Sequence, residues 1–256
     1  MIVAGIDIGG KNVHVVIEKD GQILGKAWGP SGIKKAEAVE QLYSEALKEA
    51  GIDRKDVERV VATGSAAKRV AFANDIIPDA AADARGVNKL IPSARTVIDV
   101  GAEECRVIKL GADGKVLDFA INEKCAAGTG TFVEAMSRAL EVSVDEMSKI
   151  ALRSDQTLAI NAQCAVFGES EVVSLIHQKT PKPDIARAVM NAIAGRIASV
   201  ARVVGLNEDV VMVGGMARNA GFINSLKKSI EMNVLVPEDP EYVGALGAAE
   251  TALAAR

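Results

Sequence analysis

Two of the three cysteines precede segments whose apolar residues recur with helical spacing. Cys125 stands before the turn Gly128-Thr129-Gly130, in which Thr129 is the predicted N-cap of the following helix. Cys164 stands before a second predicted helix. Helix N-termini carry unsatisfied N–H groups and a partial positive charge, which favours thiolates and anionic clusters. We therefore predict that Cys125 and Cys164 hold half of an iron–sulfur cluster.

A cubane cluster needs more thiolates than this pair supplies, because four cysteines hold such clusters. The third cysteine, Cys105, lies in a predicted strand and is expected to be a packed thiol. Two copies of the pair in a two-fold dimer would supply four ligands, with the cluster on the symmetry axis. The alternative is that all three cysteines are small buried hydrophobic residues.

Three predicted strands end in glycine-containing turns. Glycine lets the backbone bend sharply and brings N–H groups close to phosphate oxygens. Asp7 and Asp99 end two of these strands and can hold Mg²⁺ directly or through water, or orient an attacking water. With Glu103 they form the predicted catalytic set, and no P-loop motif is present. The predicted nucleotide-binding residues are Gly9, Gly10, Lys11, Asn12, Gly101, Ala102, Gly128, Thr129, Gly214, Gly215, Met216, Ala217 and Asn219.

The elements that position these turns occur twice along the chain. A strand ending at Asp7 is followed by a hairpin with the turn Asp20-Gly21. Asp99 and the turn Asp113-Gly114 repeat this arrangement, at offsets of 92 and 93 residues. The repeat predicts two related α/β halves.

Helical periodicity predicts amphipathic helices over 36–47 and 185–200. The chain divides into a predicted first domain of residues 1–95 plus 244–256. The predicted second domain comprises 96–243 and carries the cluster cysteines.

The composition narrows the class of protein further. The 256 residues are 49% hydrophobic and 3% aromatic, and the formal net charge is −4. This charge provides no basic stripe, so nucleic acid is not an expected partner. We expect a cytoplasmic protein without a membrane partner, because the sequence contains neither a signal-peptide pattern nor a membrane-length apolar run.

The three turns, in this order, resemble those of the acetate kinase, actin, Hsp70 and sugar kinase superfamily. The resemblance implies two duplicated ribonuclease H-like (actin-like ATPase) domains with an ATP cleft between them. The cysteine motifs narrow it to the 2-hydroxyacyl-CoA dehydratase activators and the ATPase subunits of benzoyl-CoA reductases. Those motifs are Asn122-Glu123-Lys124-Cys125-Ala126-Ala127-Gly128-Thr129-Gly130 and Cys164-Ala165-Val166-Phe167-Gly168-Glu169-Ser170-Glu171-Val172.

This narrower resemblance implies the cofactors and the partners. Cys125 and Cys164 from two subunits would ligate one bridging [4Fe-4S] cluster, and ATP hydrolysis, with Mg²⁺, would drive an electron into a partner iron–sulfur dehydratase or reductase. A homodimer is expected, with a heterodimer of paralogous subunits as the alternative. The upstream electron donor would be a ferredoxin or flavodoxin.

The sequence departs from the activator pattern at two turns. Gly101-Ala102-Glu103 stands where activators usually have Gly-Gly-Gln, and Gly10-Lys11 stands where Ser or Thr is common. These changes favour a reductase-type subunit.

Two other functions are compatible with the nucleotide turns. The first is a small-molecule kinase, which needs an acid near the γ-phosphate; Asp75, Asp79 and Asp83 are equal candidates. The second is a non-enzymatic or polymerising ATP-dependent switch. His14 is expected to have a structural or exposed role, and Trp28 and the two tyrosines are not expected to form a stacking series.

Overall fold

The computed structural model describes residues 1–122, 129–160 and 164–255, and these form ten strands and eight α-helices. The strands are β1 (Ile2–Ile8), β2 (Asn12–Lys19), β3 (Gln22–Pro30), β4 (Arg59–Thr63), β5 (Asp75–Ile76), β6 (Thr96–Val100), β7 (Cys105–Leu110), β8 (Val116–Ile121), β9 (Val210–Val213) and β10 (Val234–Leu235). The helices are α1 (Lys35–Ala50), α2 (Asp79–Leu90), α3 (Gly130–Ala139), α4 (Val144–Ala151), α5 (Ala165–His177), α6 (Lys182–Val204), α7 (Ala220–Ile230) and α8 (Val243–Ala254).

The strands form two five-stranded sheets with the same topology. The order is β3-β2-β1-β4-β5 in the first sheet and β8-β7-β6-β9-β10 in the second. In each, the strand that ends near a predicted catalytic acid is antiparallel to the next strand in sequence and parallel to a later one. Asp7 and Asp99 therefore lie at equivalent places near the carboxyl ends of β1 and β6. This confirms the predicted repeat and the α/β class.

Each sheet is covered on one face by helices from its own part of the chain. On the first sheet, α1 places Val39, Leu42 and Tyr43 in a core with the strands. On the second sheet, the helices between β8 and β9 form the largest core, together with α7. The predicted helices over 36–47 and 185–200 correspond to α1 and α6, and α1 ends at Gly51, whose φ of 68° suits glycine.

The opposite faces are covered by two exchanged helices. Helix α2 follows β5 of the first sheet but packs Ala84 and Val87 against the second sheet. Helix α8 follows β10 of the second sheet but packs Ala245 and Ala249 against the first. The two helices cross so closely that a Cβ atom on Gly247 would collide with the carbonyl of Ala82. The exchange brings the two acid-bearing strand ends to one cleft.

Within the described residues, no helix is long and apolar enough to cross a membrane.

Candidate functional site

A cleft of about 430 Å³ opens where β1 and β6 end. Twelve of the predicted site residues line it. They are Asp7, Gly9, Gly10, Lys11, Asn12, Asp99, Gly101, Ala102, Glu103, Gly214, Gly215 and Met216. Thr129, Ala217 and Asn219 are buried away from the cleft lining, and Gly128 and Cys125 lie outside the described residues.

The first two glycine turns share one backbone geometry. The amide of Gly9 donates to the carbonyl of Asn12 at 2.9 Å, and the amide of Gly101 donates to the carbonyl of Glu104 at 2.9 Å. Glu103 crosses the cleft from the second turn, and a Cβ atom on Gly10 would collide with its carboxylate. Gly10 therefore leaves room for the end of the flexible Glu103 side chain.

The third turn packs against the second acid. Gly214 has a φ of 81°, and its amide donates to the carbonyl of Pro240 at 2.9 Å. A Cβ atom at this position would collide with the Asp99 carboxylate. Asn219 instead caps α7, because its Oδ1 accepts from the amide of Phe222 at 2.9 Å.

Arg106 on β7 lies at the centre of an acidic cluster in the cleft. Its guanidinium is 2.6 Å from Asp99 and 2.9 Å from Glu104, while Asp83 and Asp79 lie at 3.4 and 3.7 Å. Sequence reasoning missed this arginine. The signal was available in the hairpin, because antiparallel pairing of β6 with β7 sets Arg106 opposite Asp99.

Burial and mutual charge in this acidic cluster shift the pKa values of its carboxylates and of Arg106. Burial, with the charges of Asp79 and Asp99, raises the pKa of Asp7 to about 7, against the opposing effect of Arg106. Burial also raises the pKa of Asp99 despite Arg106, and burial and Asp99 raise that of Asp83. Burial alone would lower the pKa of Arg106, but the surrounding carboxylates raise it, so the arginine stays charged.

The structure distinguishes the three candidate acids for phosphoryl transfer by whether they line the cleft. Asp79 and Asp83 lie on α2 and line the cleft. Asp75 lies on the short strand β5 and is ion-paired with Arg59, outside the cleft lining. Asp75 is therefore in the wrong place to meet a nucleotide.

The acids of the cleft fit a magnesium ion brought in with a nucleotide. Among residues 1–122, 129–160 and 164–255, no group of three or more His, Cys, Asp or Glu is arranged to hold a metal by itself. Mg²⁺ usually takes one or two protein carboxylates and completes its shell with phosphates and water. Asp7 and Asp99 supply two carboxylates of this kind at the strand ends.

Cys164 occupies the N-cap position of α5, as the sequence predicts for a helix start. Its thiol is partly exposed, and its carbonyl accepts from the amide of Gly168 at 2.9 Å. A partly exposed thiol at a helix N-terminus fits a thiolate ligand. Cys105, in contrast, is fully buried in the second core, and burial raises its pKa, so it is the packed thiol that the sequence predicts.

The two helices that follow the cysteine segments are joined to the second nucleotide turn. At the start of α3, Gly130 and Thr131 donate their amides to the carbonyls of Gly101 and Ala102, both at 2.9 Å. Helix α5 packs on α3 at Gly168, where a Cβ atom would come within 3.0 Å of Phe132. The second turn, α3 and α5 therefore form one continuous set of contacts.

An aromatic group borders the cleft, contrary to the expectation that Trp28 joins no stacking series. His14 lies 6.5 Å from Trp28 in a stacked arrangement and 5.3 Å from Tyr242 edge-on, measured between ring centroids. Cross-strand pairing of β2 with β3 places His14 opposite Trp28. Burial lowers the pKa of His14 to about 4 against the charge of Glu241, so the histidine is neutral at pH 7.

The duplicated sheets, the shared cleft and its three glycine turns define a protein of the actin-like ATPase and sugar kinase fold. Residues 4–252 match the sequence profile of the BadF/BadG/BcrA/BcrD ATPase family, and the chain belongs to that family. This confirms the resemblance drawn from the turns and cysteine motifs.

The similar proteins agree with this assignment. The chain is 36% identical over 255 residues to the 2-hydroxyisocaproyl-CoA dehydratase activator of Clostridioides difficile, covering 97% of this chain and 94% of that protein. It is 33% identical over 216 residues to a benzoyl-CoA reductase subunit of Thauera aromatica, covering 82% of this chain and 76% of that protein.

Solved structures agree as well. The structure of the Clostridium difficile activator of 2-hydroxyisocaproyl-CoA dehydratase with bound ADPNP superposes with a TM-score of 0.93 at 35% identity, covering 99% of this chain and 95% of that chain. A ROK family glucokinase from Streptomyces griseus shares the fold at a TM-score of 0.60 and 15% identity, covering 99% of this chain and 100% of that chain.

Proposed function

We propose that this chain hydrolyses ATP in its cleft and couples hydrolysis to low-potential electron transfer from a dimer-bridging [4Fe-4S] cluster. The electron acceptor is a partner iron–sulfur enzyme of the 2-hydroxyacyl-CoA dehydratase or benzoyl-CoA reductase type. One observation carries the proposal: the start of α3 is hydrogen-bonded to the second nucleotide turn, and α3 packs on α5, the helix that begins after Cys164.

The nucleotide side of the proposal assigns roles to the cleft residues. Backbone amides of the glycine turns bind phosphate oxygens, and Asp7 with Asp99 holds Mg²⁺ that arrives with ATP. Glu103 orients the attacking water across the cleft. The third turn, from Gly214 to Ala217, positions the adenosine, and Asn219 supports that turn by capping α7.

The cluster side uses Cys125 and Cys164 from each of two subunits. The cluster supplies one-electron chemistry at low potential when bound. Cys164 fits this role because it is a partly exposed thiol at a helix start, where the helix dipole favours thiolate. Since residues of one chain offer an incomplete ligand set, the proposed assembly is a homodimer, with a heterodimer of paralogous subunits as the alternative.

Several further assignments belong to the same proposal. The proposed first domain comprises residues 1–95 plus 244–256, and the proposed second domain comprises 96–243. Closure of these domains around ATP would rotate α3 and α5 with the second turn and change the surroundings of the cluster. The proposed electron donor is a cytoplasmic ferredoxin or flavodoxin.

The first test is the metal content of anaerobically purified protein together with its native mass. We expect about two irons and two sulfides per chain in a dimer, since four thiolates hold one four-iron cluster. Cys125→Ala and Cys164→Ala should each abolish the cluster, and Cys105→Ala is the matched control that should keep it. A metal-free monomer after anaerobic reconstitution, alone and with a co-expressed paralogue, would contradict the proposal.

A second candidate function is phosphoryl transfer to a small acceptor, and the position of Asp79 in the cleft favours it. A carboxylate beside the γ-phosphate can accept the proton of an attacking hydroxyl. Transfer of phosphate from ATP to a small acceptor by iron-free protein, lost in Asp79→Asn, would support this function. Release of inorganic phosphate alone would speak against it.

A further inference from the structure

We propose that Lys11 is an electrostatic latch with two alternative anionic partners. It binds Glu134 in the ion pair that spans the cleft, and it exchanges this partner for the outer phosphates of ATP. This inference rests on the ATP site of the proposed function. It adds a specific contact that must break before α3 can move relative to the first turn.

The ion pair spans the cleft. Lys11 lies in the turn between β1 and β2, and Glu134 lies on α3, which belongs to the other half of the molecule. The ammonium of Lys11 donates to the Glu134 carboxylate, and both residues line the cleft. The pair therefore joins the first nucleotide turn to the helix that follows the Cys125 segment.

The pair is weak enough to exchange partners. The side chain of Lys11 is 45% exposed and that of Glu134 is 36% exposed. Exposed ion pairs of this kind contribute little to stability, because water and salt screen them. A lysine ammonium is a compact charge on a flexible stem, so it can turn from one oxygen anion to another.

A polyphosphate is the stronger competitor for Lys11. Its outer phosphates carry more charge than one carboxylate, and Lys11 follows Gly9 and Gly10 in a turn that lines the cleft. When Lys11 turns to the phosphates, Glu134 loses its partner in the first half. Helix α3 then remains attached to the second turn through Gly130 and Thr131.

The consequence for coupling is direct. With the latch closed, the ion pair ties α3 to the first half of the molecule. With the latch open, that tie is broken, and α3 keeps its hydrogen bonds to the second turn and its packing in the core of the second half. Nucleotide binding thus removes a restraint on the helix that follows the Cys125 segment in sequence.

The test is a double-mutant cycle on nucleotide affinity, measured by calorimetry with a non-hydrolysable ATP analogue and Mg²⁺. Glu134→Gln should tighten binding about threefold to fivefold, since it removes the competitor for Lys11. Lys11→Gln should weaken binding about tenfold, and adding Glu134→Gln to it should then change affinity by less than about 1.5-fold. AMP, which lacks the outer phosphates, should bind wild type and Glu134→Gln equally.

The matched control is Glu37→Gln, which removes the acid from an exposed lysine–glutamate pair on α1 with a Lys34 Nζ to Glu37 Oε1 distance of 2.9 Å. It should leave nucleotide affinity unchanged. If Glu134→Gln tightened nucleotide binding equally with and without Lys11, the latch would be overturned. The effect would then come from the overall electrostatic field of the cleft. An unchanged affinity in Glu134→Gln would also overturn the latch.

The cycle needs no iron, which separates the two proposals. A chain that lacks a cluster but shows the predicted coupling would contradict the electron-transfer function and keep the latch. A dimer that holds the iron–sulfur cluster but shows no coupling between Lys11 and Glu134 would support the electron-transfer function and contradict the latch. Failure of the wild-type chain to bind the ATP analogue would overturn both.

Discussion

The two halves of the molecule have the same frame but carry different charges beside their acids. In the first half, β1 pairs with β2 and sets neutral His14 opposite Asp7; in the second, β6 pairs with β7 and sets Arg106 opposite Asp99. Asp99 is therefore held in an ion pair, whereas Asp7 faces a neutral imidazole and has a pKa raised to about 7. The duplication has produced one acid with an arginine partner and one without.

The halves also differ in what connects their sheets. Between β3 and β4 the first half has α1 as its α-helix, whereas between β8 and β9 the second half has α3 to α6. The segments with Cys125 and Cys164 both fall in this longer connection. The predicted cluster is thus added at one topological position of a repeated fold, and its first helix is tied to the adjacent nucleotide turn.

The largest expected effect on stability comes from removing the positive charge of Arg106, which the first half lacks at the equivalent position. Arg106→Met leaves several buried carboxylates without their cation, so we expect a loss of about 3–5 kcal/mol in the free energy of unfolding at pH 8. His14→Met at the equivalent position should cost about 1 kcal/mol or less. Urea unfolding of both variants checks the comparison, and equal losses would contradict it.

The loss of stability in Arg106→Met should depend on pH, because the guanidinium compensates the charge of buried carboxylates. Without the guanidinium, the folded-state pKa values of Asp99 and Asp83 rise further above their unfolded values. Stability from such groups is present at low pH and is lost as pH rises through the folded pKa. The defect should therefore shrink between pH 8 and pH 5.5, and a defect independent of pH would point to packing alone.

The second prediction concerns the acid that has no arginine partner. Asp7→Asn should lower Mg²⁺-dependent ATP hydrolysis by about a hundredfold, because it removes one of the two carboxylates proposed to hold Mg²⁺. The same change should raise the stability of nucleotide-free protein at pH 8 by about 1–2 kcal/mol, since the buried carboxylate is ionised there and costs stability. Phosphate release and urea unfolding measure the two effects.

Asp99→Asn is the matched change in the second half. The pKa of Asp99 is also raised by burial, but this change removes an ion pair with Arg106, so its gain in stability at pH 8 should be smaller than that of Asp7→Asn. Equal gains in the two variants would show that the ion pair does not distinguish the two acids.

Local sequence patterns were sufficient to predict the repeat, the glycine turns and the helix starts. Asp and Gly at the end of an apolar strand identified the turns around Asp7 and Asp99, because the conformation of a turn depends mainly on residues that are neighbours in sequence. Cys164 was correctly placed at a helix start for the same reason.

Long-range packing accounts for what the sequence did not reveal. The packing of the alanine-rich helix α2 on the second sheet depends on α8, which lies far along the chain. The ion pair of Arg106 depends on strand register, and the approach of Glu103 to Gly10 depends on how the halves meet. These contacts arise only when the whole fold is assembled.

The smallest expected effect on stability comes from replacing a residue of the first half with the one at the equivalent position of the second half. Both hairpins shift register at the same place, between Ile17 and Glu18 in β2 and between Lys109 and Leu110 in β7. The second half has a buried leucine there, whereas the first half has a buried glutamate whose carboxylate oxygens lack hydrogen-bond partners among the described residues. Glu18→Leu gives the first half the residue of the second.

Burial and the nearby Glu250 raise the pKa of Glu18 from 4.5 to about 7, against the opposing charge of Lys89. A raised folded-state pKa means that wild-type stability falls as pH rises from about 4.5 to about 7. Glu18→Leu should therefore gain about 1–2 kcal/mol over wild type at pH 8 relative to pH 5. Urea unfolding at both values measures the gain, and exposed Glu37→Leu should show none. A gain that is the same at both pH values would mean that Leu improves packing and that the charge of Glu18 costs the fold nothing.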